Sequence, residues 1–417
     1  MTRPLKSIIV VPHSIPDDRA GGRQRSLLFI HALCALGPVT LVLSDRASQA
    51  PPTDLLPGDA NVEIVYLSPD SRSLYQIKPK ALRRTMISIN RALDWLLPWW
   101  RYRYDKVSDE TLNHLISENN PDVVLFRYVD GMLRCDYRAS GDHLTVVDID
   151  DRPDLRILSG YQRIFGSWIT GSLLKRYVDR SVMRHVRRYL TKAQLVYFSK
   201  QPDILPVSSA VTKVQPNVPY FPAEPVENTS TPTLLFVGSQ NYAPNTRGVA
   251  WFLTHCWPEI SKAAPTAELR IVGSGNWNKF AEKYRHLDRV AFIGSAPDIA
   301  AEYGQATATI SPIFEGAGSQ IKVIESCAFG RVVVCSRFSA VGFTSEIDSK
   351  LMVAQDSGEF IAKCLALLED TKRSHEMGHE LRQLQQKHFT PAIFKSRLRD
   401  DLLKYLAPLR PEVVSLS

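Results

Sequence analysis

At 417 residues the chain has room for two globular domains, each with a sizeable core. Its apolar and charged fractions are those of a soluble protein, and no stretch reaches the length of a membrane-crossing helix. The net charge of +8 favours anionic partners, such as nucleotide diphosphates, anionic lipid or nucleic acid, without choosing among them. The six cysteines are scattered with no CxxC pair, which predicts buried thiols in a reducing cytosol and argues against a zinc site. The apolar run Ile8 to Val11 stops at Pro12, too short for a signal peptide, so the expectation is a cytoplasmic protein.

Ser7 to Pro12 reads as a first buried strand, followed by Gly21-Gly22-Arg23 and a helix from Ser26 to Leu36. A Gly-Gly loop before a helix suits a phosphate, but ordinary turns use the same residues, and no GxGxxG supports a dinucleotide. Strands follow at Val39 to Leu43 and Val62 to Leu67. Between Ala92 and Tyr104, Trp95, Trp99 and Trp100 are followed by Arg101 and Arg103 alternating with Tyr102 and Tyr104; either a membrane interface or packing under a helix accounts for them. A strand over Asp122 to Tyr128 puts Arg127 and Asp130 where ligands gather, at the carboxyl end of a parallel strand. The next strand ends in Asp148-Ile149-Asp150-Asp151. Such acids suit a hard cation, a helix cap, or a cleft wall in which Asp150 or Asp151 touches an acceptor.

Leu173 to Leu190 predicts a helix with one apolar stripe and many cations. It fits an anionic membrane surface or a solvated face of a helix packed on its own sheet. Pro222 to Pro232 reads as a linker. Beyond it, Thr233 to Gly238 is a buried strand, and a loop through Ser239 and Asn245 leads to Arg247 and an amphipathic helix. Strands at Ala267 to Val272 and Val290 to Gly294 follow, the latter including Ile293. The run Ala306 to Ile313 then ends in Glu315-Gly316-Ala317-Gly318-Ser319, and a helix carries Lys322 and Glu325 on one face. A helix N-terminus with a lysine in its first turn suits phosphate oxygens, and a carboxylate one turn on suits hydroxyls. A solvated Lys–Glu pair is the alternative. Helices at Phe360 to Leu368, around Leu381 to Lys387 and at Pro391 to Leu406 complete the chain.

Glu315-Gly316-Ala317-Gly318, then Lys322, then Ile324-Glu325-Ser326-Cys327-Ala328-Phe329-Gly330 resembles the donor-binding motif of GT-B glycosyltransferases of the family 4 (group 1) type. The spacing between the two glutamates is longer here than is usual for that family. The likeness is specific over about 230–345 and general elsewhere, where the family's N-domain histidine finds no counterpart.

The resemblance implies an α/β GT-B fold of two doubly wound Rossmann-like domains facing a cleft. The first would span 1–221 on the acceptor side and the second 222–390 on the donor side, with 391–417 returning to the first. It implies that Lys322, the glycine-loop residues Gly316, Ala317, Gly318 and Ser319, and Arg247 meet the donor diphosphate. Glu325 would hold the ribose, Glu315 the sugar, and the segment around Ile293 the base, with Gly238, Ser239 and Asn245 on the same wall. Arg247, Lys322 and Glu315 are the catalytic candidates. Gly21, Gly22 and Arg23 become cleft candidates beside Arg127, Asp130 and Asp150.

The expected activity is retaining sugar transfer from a nucleotide diphospho-sugar to a glycan, lipid-linked or other hydroxyl acceptor. No cofactor, metal or nucleic acid is expected, and an anionic membrane is a further candidate partner. Two rivals stand: a metal-dependent transferase using Asp148 and Asp150, and a non-catalytic nucleotide-binding protein.

Overall fold

The computed structural model describes residues 3–11, 21–44, 55–58, 62–67, 109–135, 137, 142–150, 152–154, 172–205, 207, 209–221, 223, 231–316 and 318–414, with single positions between 81 and 97. Trp95, Trp99, Trp100, Asp151 and Ala317 lie outside the described residues. The chain divides into two compact units, Met1–Gln215 with Phe394–Ser417, and Pro216–Ile393.

In the first unit the elements run β1 (Ser7–Val11), α1 (Gly21–Cys34), β2 (Val39–Leu43), β3 (Val62–Tyr66), α2 (Asp109–Asn119), β4 (Val123–Arg127), α3 (Val129–Arg134), β5 (Leu144–Ile149), α4 (Ser172–Leu190), β6 (Leu195–Phe198) and β7 (Val211–Val214). The strands pair in the order β3-β2-β1-β4-β5-β6-β7, all in parallel. The central strands are rich in Val, Ile and Leu and buried along their whole length, as a sheet covered on both faces requires, with Arg127 and Asp148 the charged residues at the ends of β4 and β5.

Helix α1 starts at Gly21, earlier than Ser26. The Gly22 carbonyl accepts from Ser26 Oγ at 3.0 Å and from Arg127 Nη2 at 3.1 Å, so side chains hold a first turn that the glycines disfavour. The edge strand β7 is too short and polar to stand out in the sequence. Helix α4 lays Val182, Val186 and Leu190 against Phe126, Ile149 and Phe198, while Arg176, Arg180, Arg184, Arg187 and Arg188 are exposed. Among the described residues no helix is long and apolar enough to cross a membrane.

The second unit holds β8 (Thr233–Val237), α5 (Ala243–His255), α6 (Trp257–Ala263), β9 (Glu268–Val272), α7 (Asn278–Lys283), β10 (Val290–Gly294), α8 (Ile299–Gln305), β11 (Ala308–Ser311), α9 (Ile321–Ala328), β12 (Val332–Ser336), α10 (Ser345–Asp348), β13 (Met352–Ala354), α11 (Ser357–Glu369) and α12 (Thr371–His388). Its sheet order, β10-β9-β8-β11-β12-β13, is again parallel throughout. After it come α13 (Pro391–Leu406) and α14 (Pro411–Val414).

Most of α13 belongs to the first unit. Phe394 meets the edge of Phe29 at 5.0 Å, Gln215 Nε2 donates to the Phe394 carbonyl at 2.9 Å, and Asp401 accepts from Tyr197 and pairs with Lys213. All six thiols are free, and five are buried.

Candidate active site

In the second sheet β8 and β11 are neighbours, yet the strands that continue from each lie on opposite sides. Such a reversal opens a crevice at the carboxyl ends of the strands. Two connections leave from it. One runs from Gly238 to Tyr242 and into α5; the other runs from Pro312 to Gln320 and into α9. Neither helix has a side-chain cap at its N-terminus; in α5 the second residue is Pro244 and the Asn245 amide donates to the Tyr242 carbonyl at 2.9 Å, so the first amides left for a ligand are those of α9.

Helix α5 approaches the second connection closely at Gly248, where a Cβ would run into the Pro312 carbonyl oxygen. That oxygen is backbone and cannot swing away. Gly248→Ala is therefore expected to destabilise the protein by about 1–3 kcal/mol despite alanine's better helix propensity, as chemical denaturation would measure. Gly316 has φ of 130°, and a Cβ there would strike the Tyr242 hydroxyl. Its glycine is a steric requirement of the loop.

Four side chains tie the connections together. Lys322 Nζ donates to Asn245 Oδ1 at 2.5 Å, and Asn245 Nδ2 donates to the Ser239 carbonyl at 2.8 Å. Arg247 Nε pairs with the Glu315 carboxylate, both half-exposed. Lys322 is buried over the Phe236 ring, with Nζ 5.1 Å from its centroid. Burial pushes its ammonium down to about 7, against the opposing pull of Glu325. Glu325, 6% exposed, accepts from the Tyr303 hydroxyl at 3.2 Å.

Two buried donors here, Arg247 Nη2 and Ser319 Oγ, have no hydrogen-bond partner among the described residues. A buried polar atom needs a partner, and for these two a water or a ligand oxygen would serve. With Lys322 and the uncapped amides of α9 they make a set of donors suited to an anion with several oxygens.

The remaining candidates of this unit fall nearby or into the core. Gly238 lies against Asn245, where a Cβ would sit 2.7 Å from Nδ2. The Ser239 hydroxyl is bonded to Ser274 at 3.0 Å. Ile293 packs partly buried against the cluster of Leu235, Tyr303 and Phe329, which leaves the backbone at the end of β10 for any contact with a base. Sequence reasoning missed Tyr303 and Phe236; their spacing reads as core, and nothing local marks the first as a partner of Glu325.

The first sheet has the same kind of reversal between β1 and β4, and there the outcome differs. Asp148, at the end of β5, accepts from Arg25 Nε at 2.9 Å and Nη2 at 2.5 Å and also pairs with Arg127. All three side chains are fully buried. Arg127 also donates to Ser26 Oγ at 3.1 Å. This corrects its reading as a cleft residue, because its guanidinium is an internal counter-ion of Asp148. The same pairing weakens the metal-dependent rival, because the Asp148 oxygens are already engaged by two cations.

Asp150 is buried, 3.9 Å from Arg127 Nη2. Asp130 is half-buried in the first turn of α3. Arg23 is half-buried in the first turn of α1, where burial lowers its pKa against the pull of Tyr128. Gly21 and Gly22 are part of that same turn.

Two parallel sheets of this order, each wrapped by helices, define a GT-B protein. Solved structures show the same fold over nearly the whole chain. Sucrose-phosphate synthase from Thermosynechococcus elongatus aligns with a TM-score of 0.65 at 14% identity, over 97% of this chain and 100% of that one. A glycosyltransferase from Rickettsia africae gives 0.61 at 12%, over 97% and 99%. HepE from Anabaena, in complex with UDP and glucose, gives 0.58 at 11%, over 96% and 100%. Residues 231–370 match the family model described as glycosyl transferases group 1, so the second unit carries that domain and the protein is a glycosyl transfer enzyme. A comparison with curated proteins gives no match.

Proposed function

We propose that the enzyme transfers a sugar, with retention at the anomeric carbon, from a nucleotide diphospho-sugar to a hydroxyl acceptor. The observation that carries the donor is the set of unpartnered donors around Lys322 at the crevice of the second sheet. Lys322, Arg247, Ser319 and the α9 amides take the diphosphate, Glu325 the ribose and Glu315 the sugar. The resemblance of the Glu–Lys–Glu motif to the family 4 type supports retention and this division of labour. HepE, a fold neighbour, was solved with UDP and with UDP-glucose, which supports a uridine donor as the first to try.

The demanding step is departure of the diphosphate. Negative charge grows on its bridging oxygen as the bond to the sugar breaks, and fixed cations and amides stabilise that charge without having to reorganise. The exposed arginines of α4 support an acceptor or membrane surface of negative charge near the first unit. The acceptor class remains a glycan, a lipid-linked sugar or another hydroxyl compound. The test is a thermal-shift screen of UDP-, GDP- and ADP-sugars, followed by product analysis with the best donor. Stabilisation by none of them, or an inverted anomeric product, would sink the reading.

Lys322 makes donor binding proton-linked. With its pKa about 7 in the free protein, part of the population is neutral, and a bound diphosphate favours the charged form. Between that value and the higher one of the complex, nucleoside diphosphate affinity is expected to fall by up to about tenfold per pH unit as pH rises. Calorimetry in buffers of different ionisation heat checks this as proton uptake on binding. Equal heats in all buffers at pH 8 would contradict it.

A further inference from the structure

A carboxylate that grips two hydroxyls has to be aimed before they arrive, because a free glutamate spreads over many rotamers. Glu325 in α9 and Phe329, the residue that caps its C-terminus, are four residues apart. Tyr303, from α8, meets both. Its ring stacks on Phe329 with centroids 4.3 Å apart and planes 13° apart, and its hydroxyl donates to Glu325 Oε2 at 3.2 Å. The backbone is held as well, since Arg331 Nε donates to the Tyr303 carbonyl at 2.6 Å. Burial first, then the charge of Glu325, holds the phenol well above its ordinary pKa, so it keeps its proton and remains a donor.

We propose that Tyr303 is a positioning residue for nucleotide recognition: it fixes the Glu325 carboxylate in the orientation that meets the ribose hydroxyls of a nucleoside diphosphate. The proposal rests on the assignment of Glu325 to the ribose. Tyr303 never touches the ligand. Its influence on Glu325 passes through one hydrogen bond; the hydroxyl also meets Ser326, and the ring serves the core whether or not these bonds are made.

The experiment compares Kd for UDP, GDP and ADP with Kd for their 2′,3′-dideoxy counterparts, in the wild type and in Tyr303→Phe, which keeps the ring stack. The wild type is expected to prefer the ribonucleotide. Tyr303→Phe is expected to weaken ribonucleotide binding about three- to tenfold, as loss of a hydrogen bond to a charged group does. Dideoxynucleotide binding is expected to stay within about twofold, because the altered group serves only the hydroxyls. In turnover, donor KM rises while kcat holds. In a Glu325→Ala background, which has no acceptor for the phenol, the tyrosine change is expected to add nothing.

If the wild type binds none of the diphosphates, or binds ribo and dideoxy forms alike, the ribose assignment fails and Tyr303's role with it. If the wild type discriminates and Tyr303→Phe discriminates equally well, the positioning role is overturned and the Glu325 assignment stands. Weakening of both ligands to the same degree, or a full further loss on top of Glu325→Ala, overturns it too.

Discussion

Lys322→Ala is expected to reduce sugar transfer by about 100- to 1000-fold, the scale on which enzymes lose rate when one stabilising donor is removed from a leaving charge. Nucleoside diphosphate affinity is expected to fall with it. The isosteric Lys322→Met is the more telling variant, since it is expected to be equally inactive yet more stable than the wild type. Burial holds the Lys322 pKa at about 7, against 10.5 for an ordinary lysine. Between those values the unfolded chain carries a proton that the folded one does not, so stability rises with pH across that window and is lowest below it.

An apolar side chain over Phe236 removes this penalty. Set against the lost bond to Asn245, the net gain at neutral pH is about 1–2 kcal/mol. Initial rates at saturating donor and a thermal melt measure the two effects. A Lys322→Met protein that still transfers sugar would dismiss the lysine from catalysis, and one that melts well below the wild type would dismiss the strain.

The second large effect belongs to the first unit. Asp148→Ala leaves Arg25 and Arg127 facing each other in a site with no solvent. Breaking a buried ion pair by removing one partner costs about 3–5 kcal/mol, because the remaining charge has no compensation. Here two guanidiniums lose their shared acid while Asp150, 3.9 Å from Arg127 Nη2, compensates in part, so a loss within that range is expected from urea denaturation. Their stacking near Phe29, with Arg25 at 5.4 Å and Arg127 at 5.5 Å from the ring centroid, softens the loss only slightly. A change below about 1 kcal/mol would mean that water or a neighbouring acid replaces Asp148.

The sequence made the sheets legible because buried parallel strands must be unbroken apolar runs. Ser7–Val11, Val39–Leu43 and Thr233–Val237 stood out for that reason. The glycine loop was legible because Gly316 has a conformation and a neighbour that exclude a side chain. Helical spacing put Lys322 and Glu325 on one face, and the resemblance to the family motif assigned them their roles.

What the sequence left hidden has several physical causes. Arg127 and Asp148 are charged residues at strand ends, and their types and positions look the same whether they face a ligand or each other. Only the arrival of Arg25 from a distant helix decides between them. Tyr303 was invisible for the opposite reason, since an aromatic on an apolar stripe reads as packing, and its hydroxyl partner lies 22 residues away. The early start of α1 was hidden because glycines disfavour helix and the Arg127 bond that offsets them is long-range.

The Arg25–Asp148–Arg127 knot gives the two sheets opposite ionic-strength signatures. At the β1/β4 reversal the polypeptide brings its own anion, sealed away from added electrolyte, and an external phosphate would have to compete with a carboxylate already in place. At the β8/β11 reversal Arg247 and Glu315 stand partly in solvent. Of the two reversals, only the second is therefore expected to make nucleoside diphosphate binding respond to potassium chloride, while the first stays silent.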